Sequence, residues 1–409
     1  MVRQKANLCI AMVKFRSLFV AVFLILLIGC TTAPYTGRSQ FMLVSESQEV
    51  GIGEDAYRHV LRGSVLSNNS EAQRIVRKVG ERIARAANKP EYQWEFNVID
   101  DPEMVNAFAV PGGKVAVYTG IFPVARDEAG LAVILGHEVA HALLRHAGER
   151  MSQDTLVQLG GLGLSLGLGS NPQLANRVLQ AYGLGAQVGV ALPFSRSQES
   201  EADHVGLILM AKAGYDPRVA LEVWERMERK ERGAPPEYLS THPGYEARIQ
   251  QLKAWIPEAL DSYQPVDRTV ETLPSLQALD SPTAKAEREL IKRMQAIDKQ
   301  AESQRGAEAV VRALGYGLRV DPRVLTQEIQ QLRVSVGHYA ALRAISSIGR
   351  ASLKRVFADY QNGVSWSELG ERHGARLNDL ISWIGELRRN AATIQSQLPF
   401  QPSTPRRIR

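Results

Sequence analysis

Residues 127–146 read Asp-Glu-Ala-Gly-Leu-Ala-Val-Ile-Leu-Gly-His-Glu-Val-Ala-His-Ala-Leu-Leu-Arg-His. Asp127 and Glu128 put acids at the positive end of a helix dipole, and the apolar run behind them predicts one continuous helix. Within it His137, Glu138 and His141 form H-E-x-x-H. With about 3.6 residues per turn, His137 and His141 leave the same face one turn apart, so both imidazoles reach one metal ion. Glu138 lies about 100° further round, placed to meet a water beside the metal rather than the metal itself. Burying these groups among Val133, Ile134, Leu135 and Val139 is costly unless a metal or hydrogen bonds compensate. His146 falls past the pattern and reads as a surface residue or one behind the ligands, not as a ligand.

A catalytic zinc site has three protein ligands and one open position, so a third ligand is expected downstream. Residues 195–203 read Ser-Arg-Ser-Gln-Glu-Ser-Glu-Ala-Asp and lead into the helical text Val205 to Met210. Glu199 and Asp203 share a helix face, and Glu201 points away from them. With 2 Cys in the chain, a Cys-rich zinc module is excluded and the ligands must be His and carboxylate.

Upstream, Ile75, Val76, Val79, Ile83 and Ala87 form one apolar stripe of an amphipathic helix that ends at Asn88 and Pro90. Residues 93–99 then alternate with period two, and Val110 to Lys114 separates two further strand-like runs, 106–109 and 115–119. The fold class expected is α+β, with a small sheet beside the active-site helix and an all-α C-terminal region.

These motifs resemble the HtpX-like, Oma-type and CAAX-prenyl-endopeptidase zinc metallopeptidases, most closely their BepA- and LoiP-like branch of periplasmic lipoproteins or secreted enzymes. The family text Ser-Arg-x-x-Glu-x-x-Ala-Asp matches residues 195–203. The resemblance implies a zincin-like fold and one Zn²⁺ held by His137, His141 and Glu199, with Asp203 behind them and Glu138 as general base. It also implies that Asn106, Gly112 and Gly113, with Val117 to Gly120, belong to a strand pair whose edge takes an extended substrate. Ser240-Thr241-His242-Pro243, with Arg248 six residues beyond His242, is similar to a downstream element of the family. There the His lies over the zinc and the Arg near the reacting carbonyl. The resemblance spans residues 36–256.

The remaining text concerns location and partners. The 409 residues carry a net charge of +6, with 44% hydrophobic and 22% charged residues, which excludes collagen-like and wholly disordered classes. Arg3, Lys5, Lys14 and Arg16 precede an apolar run from Ser17 to Ile28 that is too short to span a bilayer and suits a signal peptide. Leu27-Ile28-Gly29-Cys30 resembles a lipobox, implying cleavage before Cys30, its lipidation, and a place on the periplasmic face of a Gram-negative outer membrane. Residues 30–44 read as a tether, 45–260 as the peptidase domain and 261–283 as a linker. Residues 156–192, rich in Gly and Leu, suggest a helical hairpin over the cleft. Residues 284–398 read as a basic helical domain, with 364–383 a packed helical pair around Gly374, and 399–409 are expected to be a disordered tail. A helix-turn-helix reading of that pair is set aside because an exported protein does not meet DNA, so no nucleic-acid partner is expected. The expected substrates are unfolded or misassembled envelope proteins, with the outer-membrane assembly machinery as a partner. The alternative is a latent protease that acts mainly as a binding or assembly factor.

Overall fold

The structure is a computed structural model and describes residues 30–155, 194–231, 242, 245–265 and 270–398. The expected signal peptide, the hairpin at 156–192, and the 399–409 tail lie outside the described residues. The chain divides into two compact units after Leu276, with residues 60–67 counted in the second. Both are mainly helical, and the first contains the sheet.

In the first unit, the stretch expected as a tether carries an antiparallel hairpin of β1 (Cys30–Thr32) and β2 (Ser39–Phe41), with Thr31 opposite Gln40. Helix α1 (Glu46–Arg62) follows. Helix α2 (Ser70–Ala87) starts where the Asn69 side chain accepts from the Ala72 N–H and ends at Asn88 in the left-handed region, φ 48°. Its expected stripe, Ile75, Val76, Val79, Ile83 and Ala87, is buried throughout.

The sheet holds β3 (Glu95–Ile99), β4 (Ala107–Val110) and β5 (Lys114–Tyr118) in the order β3-β5-β4. Strand β5 runs parallel to β3 and antiparallel to β4. The reversal between β4 and β5 needs Gly112 and Gly113, whose φ values of 91° and 88° disfavour any side chain.

Helix α3 (Glu128–Leu143) is the quoted stretch. Asp127 caps it, accepting from the Gly130 N–H at 2.9 Å, and every residue of the helix is buried. A helix apolar on all sides must lie inside its domain. It packs against α2, against α4 (Arg196–Lys212) and α5 (Val219–Glu231), and against β4. Helix α4 opens with a reciprocal capping box between Ser195 and Gln198, and α6 (Tyr245–Asp261) packs on α4 and α5. Part of the expected linker belongs to this unit. Residues 271–273 run along the start of α3, with the Glu128 N–H donating to Glu271 O at 3.0 Å and the Leu273 N–H to Arg126 O at 2.8 Å.

The second unit contains α7 (Pro282–Ala301), α8 (Gln304–Leu318), α9 (Pro322–Leu332), α10 (Val336–Ile348), α11 (Leu353–Gln361), α12 (Trp366–Arg372) and α13 (Leu377–Gln397). Ser281, Ser303, Asp321, Ser335, Ser352 and Ser365 cap six of these with side-chain oxygens. Leu290, Met294, Leu314, Tyr339, Leu342, Ile345, Leu380 and Ile384 form the core. The expected helical pair is α12 and α13, and Gly374 between them sits at φ 77°.

Candidate metal centre

Two glycines bring the motifs together. A Cβ on Gly136 would lie 2.8 Å from Gly206 O, and one on Gly206 would lie 2.9 Å from His137 N. Only hydrogen at both positions lets α3 and α4 approach this closely, which seats His137 and His141 against Glu199.

His137 Nε2 and His141 Nε2 are 3.0 Å apart. Glu199 Oε2 is 3.5 Å from the first, and Glu199 Oε1 is 3.4 Å from the second. His242 brings Nδ1 to 3.2 Å from His137 Nε2 and 3.0 Å from Glu199 Oε1. All four residues are buried, and each offers one donor to a common point. A tetrahedral zinc with bonds of about 2.0–2.1 Å holds its donors about 3.3–3.4 Å apart, so this set fits zinc in both spacing and donor type. Glu138, also buried, projects beside the cluster with Oε1 3.5 Å from His242 Nε2.

Both histidines of the motif are held from behind. His137 Nδ1 is 3.0 Å from Asp203 Oδ1, an acceptor that fixes the proton on Nδ1 and leaves the Nε2 lone pair facing inward. His141 Nδ1 faces His146 Nδ1 at 2.9 Å, and Phe194 stacks on the His141 ring at 4.0 Å between centroids.

Arg248 departs from the role read in the sequence. Its Nε and Nη2 donate to Asp203 Oδ2 and Oδ1 at 2.7 Å each. Its Nη1 donates to Glu199 Oε2 at 2.6 Å and to His242 O at 3.1 Å. The guanidinium lies 3.9 Å from the Trp224 ring centroid and is buried. A guanidinium spent on two carboxylates is a clamp behind the ligands, not a donor aimed at a reacting carbonyl.

The field of the site follows from this packing. Burial raises the Glu199 and Asp203 carboxyls, but the surrounding cations and hydrogen bonds outweigh it and hold both below the usual carboxylate range. Burial opposes charge on His242 too, and Glu199 and Glu138 overcome it, raising that imidazole. On His141 burial dominates, and its pKa is lowered well below the ordinary value.

The other expected residues lie apart from the cluster or outside the description. Asn106 immediately precedes β4, an edge strand paired only with β5 among the described residues. Gly112 and Gly113 form the turn that follows it, and a Cβ on Gly112 would press on Val50 of α1. Cys30 begins β1.

Of the two places read for His146, the structure takes the one behind the ligands: it is fully buried and meets His141 rather than solvent. The chain reverses after α3 at Arg145, φ 57°, and returns the His146 ring to His141. Reading the sequence also missed Arg38, Glu149 and Phe194. Arg38 binds Glu201 and Glu149, so Glu201, which stands outside the metal cluster, has a partner of its own. Burial raises the Glu201 carboxyl, but hydrogen bonds from His146, Thr36 and Arg38 prevail and hold it at about 2.

A mainly helical α+β fold with a buried three-His, one-carboxylate cluster on an H-E-x-x-H helix defines a zinc metallopeptidase. Residues 70–256 match peptidase family M48. The chain is 36% identical over 250 residues to mitochondrial metalloendopeptidase OMA1 of Schizosaccharomyces pombe, spanning 60% of this chain and 72% of that one. It is 33% identical over 254 residues to the protein of the same name from Saccharomyces cerevisiae, spanning 58% and 71%. To the Beta-barrel assembly-enhancing protease of Escherichia coli it is 31% identical over 229 residues, spanning 54% and 46%. The chain therefore belongs to peptidase family M48 and is a zinc metalloendopeptidase.

Proposed function

We propose that this chain is a lipid-anchored endopeptidase of the bacterial cell envelope, tethered through Cys30 to the periplasmic face of the outer membrane. In this reading it hydrolyses misfolded or stalled envelope proteins. The leader text ending in Gly29-Cys30 supports the location, and the bacterial relative, whose name refers to β-barrel assembly, supports the substrate class. The relatives named mitochondrial argue for the chemistry and not for the compartment.

One observation carries the catalytic assignment: His137, His141 and Glu199 converge on a single point, with Glu138 beside it. Bound there, zinc supplies Lewis acidity that polarises the scissile carbonyl and lowers the pKa of water towards about 7. Glu138 accepts the proton of the attacking water at a carboxylate oxygen and returns it to the leaving amine. Arg248 and Asp203 keep Glu199 and His137 oriented while this happens. Strand β4, with one free edge among the described residues, suits pairing with an extended peptide.

A second reading is favoured by His242. With its Nδ1 in the cluster the site has four protein donors, the number of a closed site rather than an open one. In this reading the protease is latent until His242 withdraws, and the chain otherwise binds its partners.

Cell fractionation tests the location. The wild-type chain, expressed in a Gram-negative host, should sediment with outer membrane, and Cys30→Ala should be soluble in the periplasm. Equal sedimentation of both would refute the anchor. For substrates, Glu138→Gln should retain misfolded outer-membrane proteins that wild type degrades, and retention of none would refute the substrate class.

A further inference from the structure

The two histidines of the motif are supported differently. His137 rests on a carboxylate, whereas His141 Nδ1 meets another imidazole, that of His146, at 2.9 Å. His146 has no exposed surface, and its Nε2 lies 3.2 Å from Glu201 Oε2. Glu201 is in turn gripped by Arg38, whose Nε donates to Glu201 Oε2 at 2.7 Å. The other nitrogens of Arg38, Nη1 and Nη2, donate to Glu149 at 2.8 and 2.6 Å. Nearby, Gln40 Nε2 donates to Leu144 O, one of the carbonyls left open at the end of α3.

We propose that His146 is a positioning residue: with Glu201 behind it, it holds His141 in the tautomer and orientation that present Nε2 to the metal, and Arg38 ties this relay to the N-terminal hairpin. The inference rests on reading His141 as a ligand. The proton assignment runs inward from the carboxylate. An ionised carboxylate only accepts, so His146 carries its proton on Nε2. Its Nδ1 then bears the lone pair, and His141 Nδ1–H must donate to it. That leaves the lone pair of His141 on Nε2, facing His137 and Glu199. Phe194, stacked on the face of the His141 ring, restricts its rotation. Residues 30–41, the first of the chain beyond the proposed cleavage point, thus reach the metal centre through three side chains.

The arrangement calls for a zinc-affinity measurement on the full purified chain, by competition with a chromophoric chelator. Alongside it go the absorption spectrum of the cobalt-substituted protein and melting of the chelated protein. His146→Leu fills the space without an acceptor, and His146→Asn restores an acceptor near the Nδ1 position. Losing a group behind a ligand typically weakens metal binding about 10- to 100-fold, so His146→Leu is expected in that range, with an altered cobalt spectrum and unchanged melting of the chelated protein. His146→Asn should recover most of the affinity and the wild-type spectrum. Glu201→Ala reads the same relay one step out and serves if His146→Leu does not fold; it should bind zinc about 10-fold more weakly. Wild-type affinity in His146→Leu and Glu201→Ala, with zinc lost in His141→Ala, would overturn the relay and leave the ligand reading standing. Equal weakening in His146→Leu and His146→Asn would overturn the acceptor role. Undiminished zinc in His141→Ala would overturn the ligand reading and the relay with it.

Discussion

Gly136 and Gly206 meet across the α3–α4 contact so closely that a methyl group on either would strike the other helix's backbone. The metal centre depends on that contact, because His137 follows Gly136 directly and Glu199 and Asp203 stand on the facing helix. Gly206→Ala is expected to destabilise the protein by about 1–3 kcal/mol through overpacking, and to weaken zinc binding as the helices part. Denaturant melts with and without chelator check both. Unchanged stability and unchanged zinc affinity would contradict the close contact.

Arg248 gives a test that separates clamp from catalyst. As a clamp it neutralises two buried carboxylates, and removing one partner of such a group costs about 3–5 kcal/mol. Arg248→Met should therefore melt well below wild type even in the chelated protein. A variant with wild-type stability whose turnover alone is lost would restore the place near the reacting carbonyl that the resemblance implies.

His242→Ala distinguishes the open from the latent site. With four donors in the cluster, removing His242 should free one position, so zinc stays bound through three ligands and cleavage of an unfolded protein rises. Loss of cleavage with zinc retained would mean that His242 serves the reaction rather than restrains it.

The second unit carries its own pH signature. Burial and a hydrogen bond to Glu328 push the Tyr339 phenol up to about 12. An unfolded tyrosine titrates near about 10. The folded group stays neutral longer, so the stability it contributes is present below about 10 and is lost as pH rises towards 12. Wild type should lose thermal stability across this window more steeply than Tyr339→Phe. Parallel curves would contradict the shift.

What was legible in the sequence was what is local. The spacing of His137 and His141, the i to i+4 relation of Glu199 to Asp203, and the stripe of α2 all follow from the helix repeat, and the structure places them so. The hidden parts depend on chain reversals and long-range contacts. His146 reaches His141 only because the backbone turns at Arg145, and nothing in the residue types announces that. Arg38 finds Glu149 and Glu201 at separations of 111 and 163 residues, which made a structured hairpin read as a tether. Arg248 was visible as a functional residue, but the direction of its guanidinium is set by where α6 packs. In the C-terminal unit the helical patterns were legible, while the breaks between successive helices rest on single capping residues such as Ser303, Ser335 and Ser352.

The site geometry supports peptide-bond hydrolysis with a zinc held by His137, His141 and Glu199, and with Glu138 as the base. The most direct measurement is casein cleavage by purified protein with bound zinc quantified, for wild type, His242→Ala and each of these two backgrounds carrying Glu138→Gln. One zinc per chain is expected in all four, with cleavage by wild type or by the unblocked His242→Ala, and a rate lower by about 10²- to 10⁴-fold once Glu138 is changed. Cleavage that survives Glu138→Gln at full rate, or a wild-type chain that binds no zinc, would contradict this mechanism.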